Sequence, residues 1–346
     1  MNTKIVGIDL AKDVSQMCAL SRTNQVIFNR SVRRAALRRE VGKLPATTIA
    51  MEACGSAHYW GREFRAMGHT VLLIPPQHVK AFVRNGKSDA KDALAICEAA
   101  QRPKLHPVPI KSVEQQDLQL LHRVRSRYVQ MRTALANQIR SIAQEYGVIF
   151  PKTLNKLRAG LMPELENADN GLSSAARAMI HMLYDELQGI DAKEQQLKHQ
   201  IEALATTNEA YGRLLEVPGI GPIVASAYLA AVGNGHQFQR GRQLSAWLGL
   251  VPRQHGTGGK MQLQGISKGG DRYLRTMLIH GARIVASWCQ RRTQDDRPMA
   301  RWVRALIARR GKNKAIVALA NKIARLAWAV LARGERFDPA KAFAAA

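Results

Sequence analysis

An α/β layer followed by an all-α body is the fold class that this sequence predicts, and three observations predict it. From Lys4 to about Pro107, short β-type runs alternate with helical runs. Two long amphipathic stripes without β-type runs follow, reaching about Leu204, and the remainder is again mainly helical around a Gly-rich centre. The 346 residues suit two or three domains, each able to bury its own core, with divisions at 1–110, 111–206 and 207–346.

In the first region Lys4 to Asp9, Gln16 to Leu20, Val26 to Asn29, Thr48 to Met51 and Thr70 to Ile74 read as strands. Arg33 to Leu44, Tyr59 to Met67 and Ala90 to Gln101 read as helices, and Pro75-Pro76 closes the last strand. Three early strands and then helix and strand in alternation indicate an α/β layer.

In the second region Leu118, Leu121, Val124, Tyr128, Met131, Leu135, Ile139 and Ile142 recur at steps of three or four. Ile180, Leu183, Leu187, Ile190, Leu197, Ile201 and Leu204 form a second stripe after a loop marked by Pro151, Pro163 and Gly171. Such seams suit a coiled coil, within one chain or between chains, and equally suit ordinary helix packing, because periodicity sets the buried face and not the partner.

Charge narrows the partners. With 52 Lys and Arg against 26 Asp and Glu, the formal charge is +26, and a 46% apolar composition makes the chain a folded one with an electropositive surface. Counterion release then makes nucleic acid the leading partner. From Asn208 onward there are 23 Lys and Arg against 7 Asp and Glu, and between Glu216 and Asp271 no acid occurs at all. That gap contains Arg240, Arg242, Arg253, Lys260 and Lys268. Cys18, Cys54, Cys97 and Cys289 stand singly, which disfavours a zinc site or a disulfide framework and fits a reducing cytoplasm. Lys4 and Asp9 interrupt the apolar start, so no signal peptide is expected, and Asn321, Lys322 and Arg325 break up Ala315 to Ala332, so no membrane span is expected either.

Four carboxylates have a spacing with chemical meaning. Asp9 ends the apolar run Ile5-Val6-Gly7-Ile8, and Glu52 ends Thr48-Ile49-Ala50-Met51. Asp89 and Asp92, three apart at the start of a helix, project from one face. Hard oxygen ligands gathered from two strand ends and a helix suit Mg²⁺. Singly, each has a simpler use: Asp89 as a helix N-cap, Asp92 as a first-turn dipole partner, Asp9 in a turn, Glu52 in a salt bridge.

Leu214 to Val232 reads as helix, tight hairpin, helix, with Pro218-Gly219 ending one and Pro222 opening the next. Gly219 and Gly221 would leave backbone N–H groups free for a phosphate, or simply make a turn between packed helices. The segment Arg253-Gln254-His255-Gly256-Thr257-Gly258-Gly259-Lys260 fails as a P-loop, having Gln254 for the first Gly and Met261 after Lys260. It reads instead as a flexible loop that brings a hydroxyl and basic side chains to phosphate. In it, His255 suits proton transfer or a phosphate contact, and Arg253 a phosphate clamp or a solvated charge.

Gly7-Ile8-Asp9, Met51-Glu52-Ala53-Cys54-Gly55 and Lys87-Ser88-Asp89-Ala90-Lys91-Asp92-Ala93 resemble the Asp-Glu-Asp-Asp set of the RuvC-like domain in RNA-guided (bridge-RNA or seekRNA) insertion-sequence transposases. Val217-Pro218-Gly219-Ile220-Gly221-Pro222, Trp247 to Arg253 and Gly265 to Arg275 resemble the C-terminal transposase domain of that family, so the likeness covers essentially the whole chain. It implies a RuvC/RNase H-like first domain, a coiled-coil middle and a C-terminal domain with a helix-hairpin-helix. It also implies Mg²⁺ on Asp9, Glu52, Asp89 and Asp92, double-stranded target and donor DNA, a noncoding guide RNA from the element, and a bacterial cytoplasmic dimer or tetramer with a composite site. A serine nucleophile of the family corresponds here to Thr257, a departure that leaves Ser245 and Ser267 open as substitutes. The nucleic-acid-binding residues expected are Gly219, Gly221, Arg240, Arg242, Arg253, His255, Lys260, Lys268, Arg272 and Arg275. A RuvC-like junction nuclease using water, or a binder without catalysis, are the competing classes.

Overall fold

The structure is a computed structural model and describes residues 3–82, 88–103 and 105–343. Lys87 of the third acidic motif lies outside the described residues. The chain divides into two compact units, Met1–Val113 and Glu114–Ala346.

The first unit runs β1 (Thr3–Asp9), β2 (Val14–Ser21), β3 (Val26–Arg33), α1 (Arg34–Gly42), β4 (Thr48–Glu52), α2 (Ala57–Ala66), β5 (Thr70–Ile74), the short α3 (Pro76–Lys80) and α4 (Asp89–Ala100). Every strand and helix expected there forms, with ends displaced by a few residues. The sheet order is β3-β2-β1-β4-β5. β1 and β3 are antiparallel to β2, while β4 pairs parallel with β1 and with β5. This mixed five-stranded sheet fits a RuvC-like domain.

Alternation along the strands explains its two faces. Val6, Ile8, Ile49, Met51, Val71 and Leu73 pack with Leu37 and Val41 of α1 and Trp60 and Phe64 of α2. Ile5, Cys18, Ala50 and Ile74 point the other way, onto Ala93, Ile96 and Cys97 of α4.

The second unit runs α5 (Val113–Glu145), α6 (Leu154–Glu166), α7 (Ser174–Thr206), α8 (Glu209–Leu215), α9 (Pro222–Val232), α10 (Gly241–Trp247), β6 (Pro252–Thr257), β7 (Lys260–Ile266), α11 (Arg272–Arg291), α12 (Pro298–Arg310), α13 (Lys312–Arg333) and α14 (Pro339–Phe343). The two amphipathic stripes meet within this chain: Leu135 and Ile139 of α5 pack with Ile180, Leu187 and Ile190 of α7. Leu157 and Leu161 of α6 complete the cluster, which makes it a three-helix arrangement rather than a two-stranded coil. Arg125 pairs with Glu194 at 2.6 Å and Arg132 with Asp191 and Glu194 at 3.6 Å each, aligning α5 against α7.

Leu118 and Ile201 belong to a different cluster, the core built by α8 to α13. Its central element is α13, which buries Ile316, Leu319, Ile323, Ala324 and Trp328. By length and composition alone α13 would suffice to cross a membrane, and its apolar face is accounted for by this core. The Gly-rich centre is not the flexible loop expected but an antiparallel hairpin, β6 on β7, with Thr257 opposite Lys260. Gly258 and Gly259 supply the two positive φ angles, +57° and +79°, that a two-residue hairpin turn requires.

Candidate active site

The acidic site starts from a glycine. Gly7 and Asp9 share the face of β1 that looks onto α4, and a Cβ on Gly7 would lie 2.5 Å from Ala93 O and 2.6 Å from Cys97 Sγ. With hydrogen in that place, α4 lies directly on β1. Its first turn, carrying Asp89 and Asp92, then meets the end of the strand. A carboxylate oxygen from each of Asp9, Asp89 and Asp92 lies within 4.8 Å of the others. Asp9 and Asp92 are half-buried and Asp89 is exposed, so the group opens to solvent.

Glu52 is not one of these three. It follows Met51, the partner of Ile8 in the parallel register, and so stands at the neighbouring strand end. Alternation puts it on the α4 face, as does its register partner Ile74. Cys54 feels both strand ends: burial, then the charges of Glu52 and Asp9, push its thiol pKa up. The structure thus brings together three of the four carboxylates, with the fourth beside them on the adjacent strand.

The second unit carries Thr257, the hydroxyl expected from the sequence. In the hairpin, His255 and Thr257 with their partners Gln262 and Lys260 share one face, and Gln254 and Gly256 with Leu263 and Met261 share the other. Apart from half-buried Ile266, every residue in the two strands is exposed, so the hairpin projects without a core of its own. Its root is tightly interlocked. A Cβ on Gly249 would lie 2.3 Å from Gly269 N, and one on Gly270 would lie 1.8 Å from Trp247 O. Both have positive φ, so glycine is required on both counts.

Two expected roles change at this root. Arg275 is 7% exposed, and its guanidinium donates to Leu248 O at 3.0 Å and to Gly269 O. It ties the two ends of the hairpin together and is spent on carbonyls instead of phosphate. Ser245 is 1% exposed, with its hydroxyl on Asn321 O at 3.4 Å, which removes it as an attacking group. Half-buried Ser267 follows β7, its N–H on Val251 O at 2.8 Å. Arg253, His255, Lys260, Lys268 and Arg272 are exposed, as are Arg240 and Arg242.

The helix-hairpin-helix candidates separate. Gly221 caps α9, with nothing within 4 Å of where its Cβ would stand. Gly219 instead packs against α11, where a Cβ on Gly281 would lie 2.0 Å from Gly219 O, so close helix approach explains it. The same unit holds a polar group that the sequence did not reveal. Buried His122 has Nδ1 at 3.1 Å from the Tyr273 hydroxyl and Nε2 at 3.1 Å from the Ser226 hydroxyl. Burial, and then Arg125, lower its pKa to about 4, so it is neutral at physiological pH. Its only signal was a His interrupting the α5 stripe.

Comparison with known proteins places family matches in both parts of the chain. A DEDD transposase family model of the IS110 type matches residues 6–148, and one described as the transposase of the IS116/IS110/IS902 family matches residues 211–297. A probable family 20 transposase of Pseudomonas aeruginosa is 49% identical over 343 residues, 98% of this chain and 100% of that protein. The transposase for insertion sequence element IS1111A of Coxiella burnetii is 44% identical over 334 residues, 96% and 91% of the two chains. A pilin gene-inverting protein of Moraxella bovis is 31% identical over 150 residues, 41% and 44% of the two. The acidic cluster built on Gly7, the glycine-locked root of the hairpin and these matches lead to one assignment: the chain is a transposase and belongs to the IS116/IS110/IS902 family.

Proposed function

We propose that this transposase cuts and rejoins DNA strands with Asp9, Glu52, Asp89 and Asp92 holding Mg²⁺ and the Thr257 hydroxyl attacking phosphorus. The reading extends to an element-encoded noncoding RNA that selects target and donor DNA, and to a cytoplasmic dimer or tetramer in which one subunit's carboxylates meet another's hydroxyl. The observation that carries it is the convergence of Asp9, Asp89 and Asp92 within 4.8 Å. Three carboxylates at that separation repel one another unless a cation or protons intervene. An all-oxygen set with room for water and phosphate suits a divalent metal, Mg²⁺ above all. When bound, the metal supplies charge neutralisation at the scissile phosphate.

The protein's own residues supply the rest. Thr257 Oγ forms a bond to phosphorus as the bond from phosphorus to a sugar oxygen breaks; the hydroxyl loses its proton and the departing oxygen takes one up. The phosphodiester count is unchanged, so the reverse attack by a strand hydroxyl rejoins DNA and frees Thr257. Lys260, opposite Thr257 in the ladder, brings a positive charge to the phosphate. A β-branched residue suits a strand position, which accommodates threonine where the family resemblance has serine.

Denaturing electrophoresis after reaction with labelled DNA in Mg²⁺, followed by mass mapping, tests this. The expected result is a DNA-protein adduct on Thr257, lost in Thr257→Ala and in Asp9→Ala and kept in Thr257→Ser. Adduct on Ser267, or free nicked ends with no adduct in any variant, would overturn the nucleophile assignment, the latter in favour of a nuclease that uses water.

A further inference from the structure

A second cationic feature lies in the second unit, away from the hairpin in sequence. Gly241 opens α10, and a Cβ there would lie 3.2 Å from Arg325 Cα and 3.2 Å from Trp328 Cε3. The glycine lets the start of α10 rest on α13. Arg240 and Arg242, which flank it, are thereby set beside Lys322 and Arg325, residues at least 80 positions away in the chain. These four cations line a groove of about 600 Å³ together with Arg333, Arg336 and Lys341 and with two carboxylates, Glu335 and Asp338.

Compensation in the groove is unequal. Arg333 pairs with Glu335 at 3.7 Å and Arg336 with Glu216 at 3.9 Å. Among the described residues, no carboxylate lies within ion-pair distance of Arg240, Arg242, Lys322 or Arg325. Lys322 is held over the rings of Trp302, 4.9 Å from the centroid, and Phe343, at 4.5 Å. Burial and the charge of Arg325 both work against its protonated form. Helix packing has therefore gathered cations that an anion would complement.

We infer that this groove binds the sugar-phosphate backbone of one nucleic-acid strand, with Arg240, Arg242, Lys322 and Arg325 on successive phosphates. An open groove of this size has room for a few nucleotides of one strand. Several cations contributed along one groove match a run of phosphates better than one compact anion. The inference rests on the nucleic-acid reading above and not on the carboxylates or on Thr257.

The test measures binding, not cleavage, with full-length protein in EDTA, and uses labelled 20-nucleotide single strands of DNA and of RNA with the same sequence. Arg240→Gln/Arg325→Gln is compared with Arg309→Gln/Arg310→Gln, which removes the same charge from the exposed end of α12. For two lost phosphate contacts the log-log salt slope should fall by about 1.4, and affinity at 0.1 M salt by about 25-fold, for the groove variant only. The arm that loses affinity identifies DNA or RNA as the source, and equal losses in both mean that the groove reads phosphate alone. Equal losses in the two variants, or none in the groove variant while its thermal unfolding is unchanged, would overturn the inference. Because the assay contains no metal and requires no adduct, failure here leaves the catalytic reading intact, and the reverse.

Discussion

Gly7 and Ala93 are in backbone contact: a Cβ on the former would lie 2.5 Å from the carbonyl oxygen of the latter. That contact sets how closely α4 approaches β1, and so how closely Asp89 and Asp92 approach Asp9. Gly7→Ala must push the helix away, at about 1–3 kcal/mol for overpacking. The expected result is a folded protein with a lowered unfolding midpoint and strand cleavage reduced at least tenfold. Full cleavage by this variant would mean that the carboxylates need no such close approach.

Asp9, Asp89 and Asp92 offer oxygens within 4.8 Å of one another, a set suited to a divalent cation. Asp9→Asn removes one charged ligand and keeps the shape. The rise in unfolding midpoint that Mg²⁺ gives the unmodified protein should shrink in this variant, and cleavage should be lost. Thermal unfolding with Mg²⁺ and with EDTA reads the effect, and an undiminished rise in the variant would count against Asp9 as a ligand.

Removing the buried guanidinium of Arg275 leaves Leu248 O and Gly269 O without their donor. Arg275→Ala should cost about 3 kcal/mol, since hydrogen bonds to charged groups are worth about 1.5–3 kcal/mol each and the effects overlap. It should also raise amide exchange in β6 and β7 more than in α5. A variant that loses nucleic-acid affinity while keeping full stability would return Arg275 to the phosphate-binding set.

His122 gives stability a pH dependence of defined sign. Its folded pKa, about 4, lies below the ordinary value of 6.5, so between those pH values the unfolded chain binds more protons. The neutral side chain's contribution is fully present above about pH 6.5, is lost as pH falls toward 4, and falls no further below that. The loss is on the order of 3 kcal/mol. Denaturant titrations from pH 7 to 4 should show it in the unmodified protein and not in His122→Gln, and parallel curves for the two would refute the assignment to His122.

The first unit was legible nearly strand by strand, because alternation and short apolar runs are local signals. The second was less so. Leu118 and Leu135 lie on one stripe but serve different cores, a distinction made by α9 and α6 and not by spacing. The hairpin carries its own signal, since Gly258-Gly259 between Arg253-to-Thr257 and Met261-Gln262-Leu263 fits a two-residue turn, but adjacent glycines suit a loose loop as well as a required φ. Asp89 and Asp92 could be placed on one face from their spacing. Their meeting with Asp9 depends on the missing side chain of Gly7, and an absence of atoms leaves no periodicity to read. Arg275 looked like its basic neighbours, because charge is visible in a sequence and the carbonyls that consume it are not.

The hairpin has the mechanics of a beam clamped at one end. Interlocked glycines and Arg275 fix its base, whereas its flanks are exposed among the described residues. Its length is set by the number of rungs, six residues on β6 or about 20 Å. Reach is therefore a counted quantity in this protein. Deleting one cross-strand pair would turn Thr257 to the opposite face; deleting two would restore the face and retract the hydroxyl by about 7 Å.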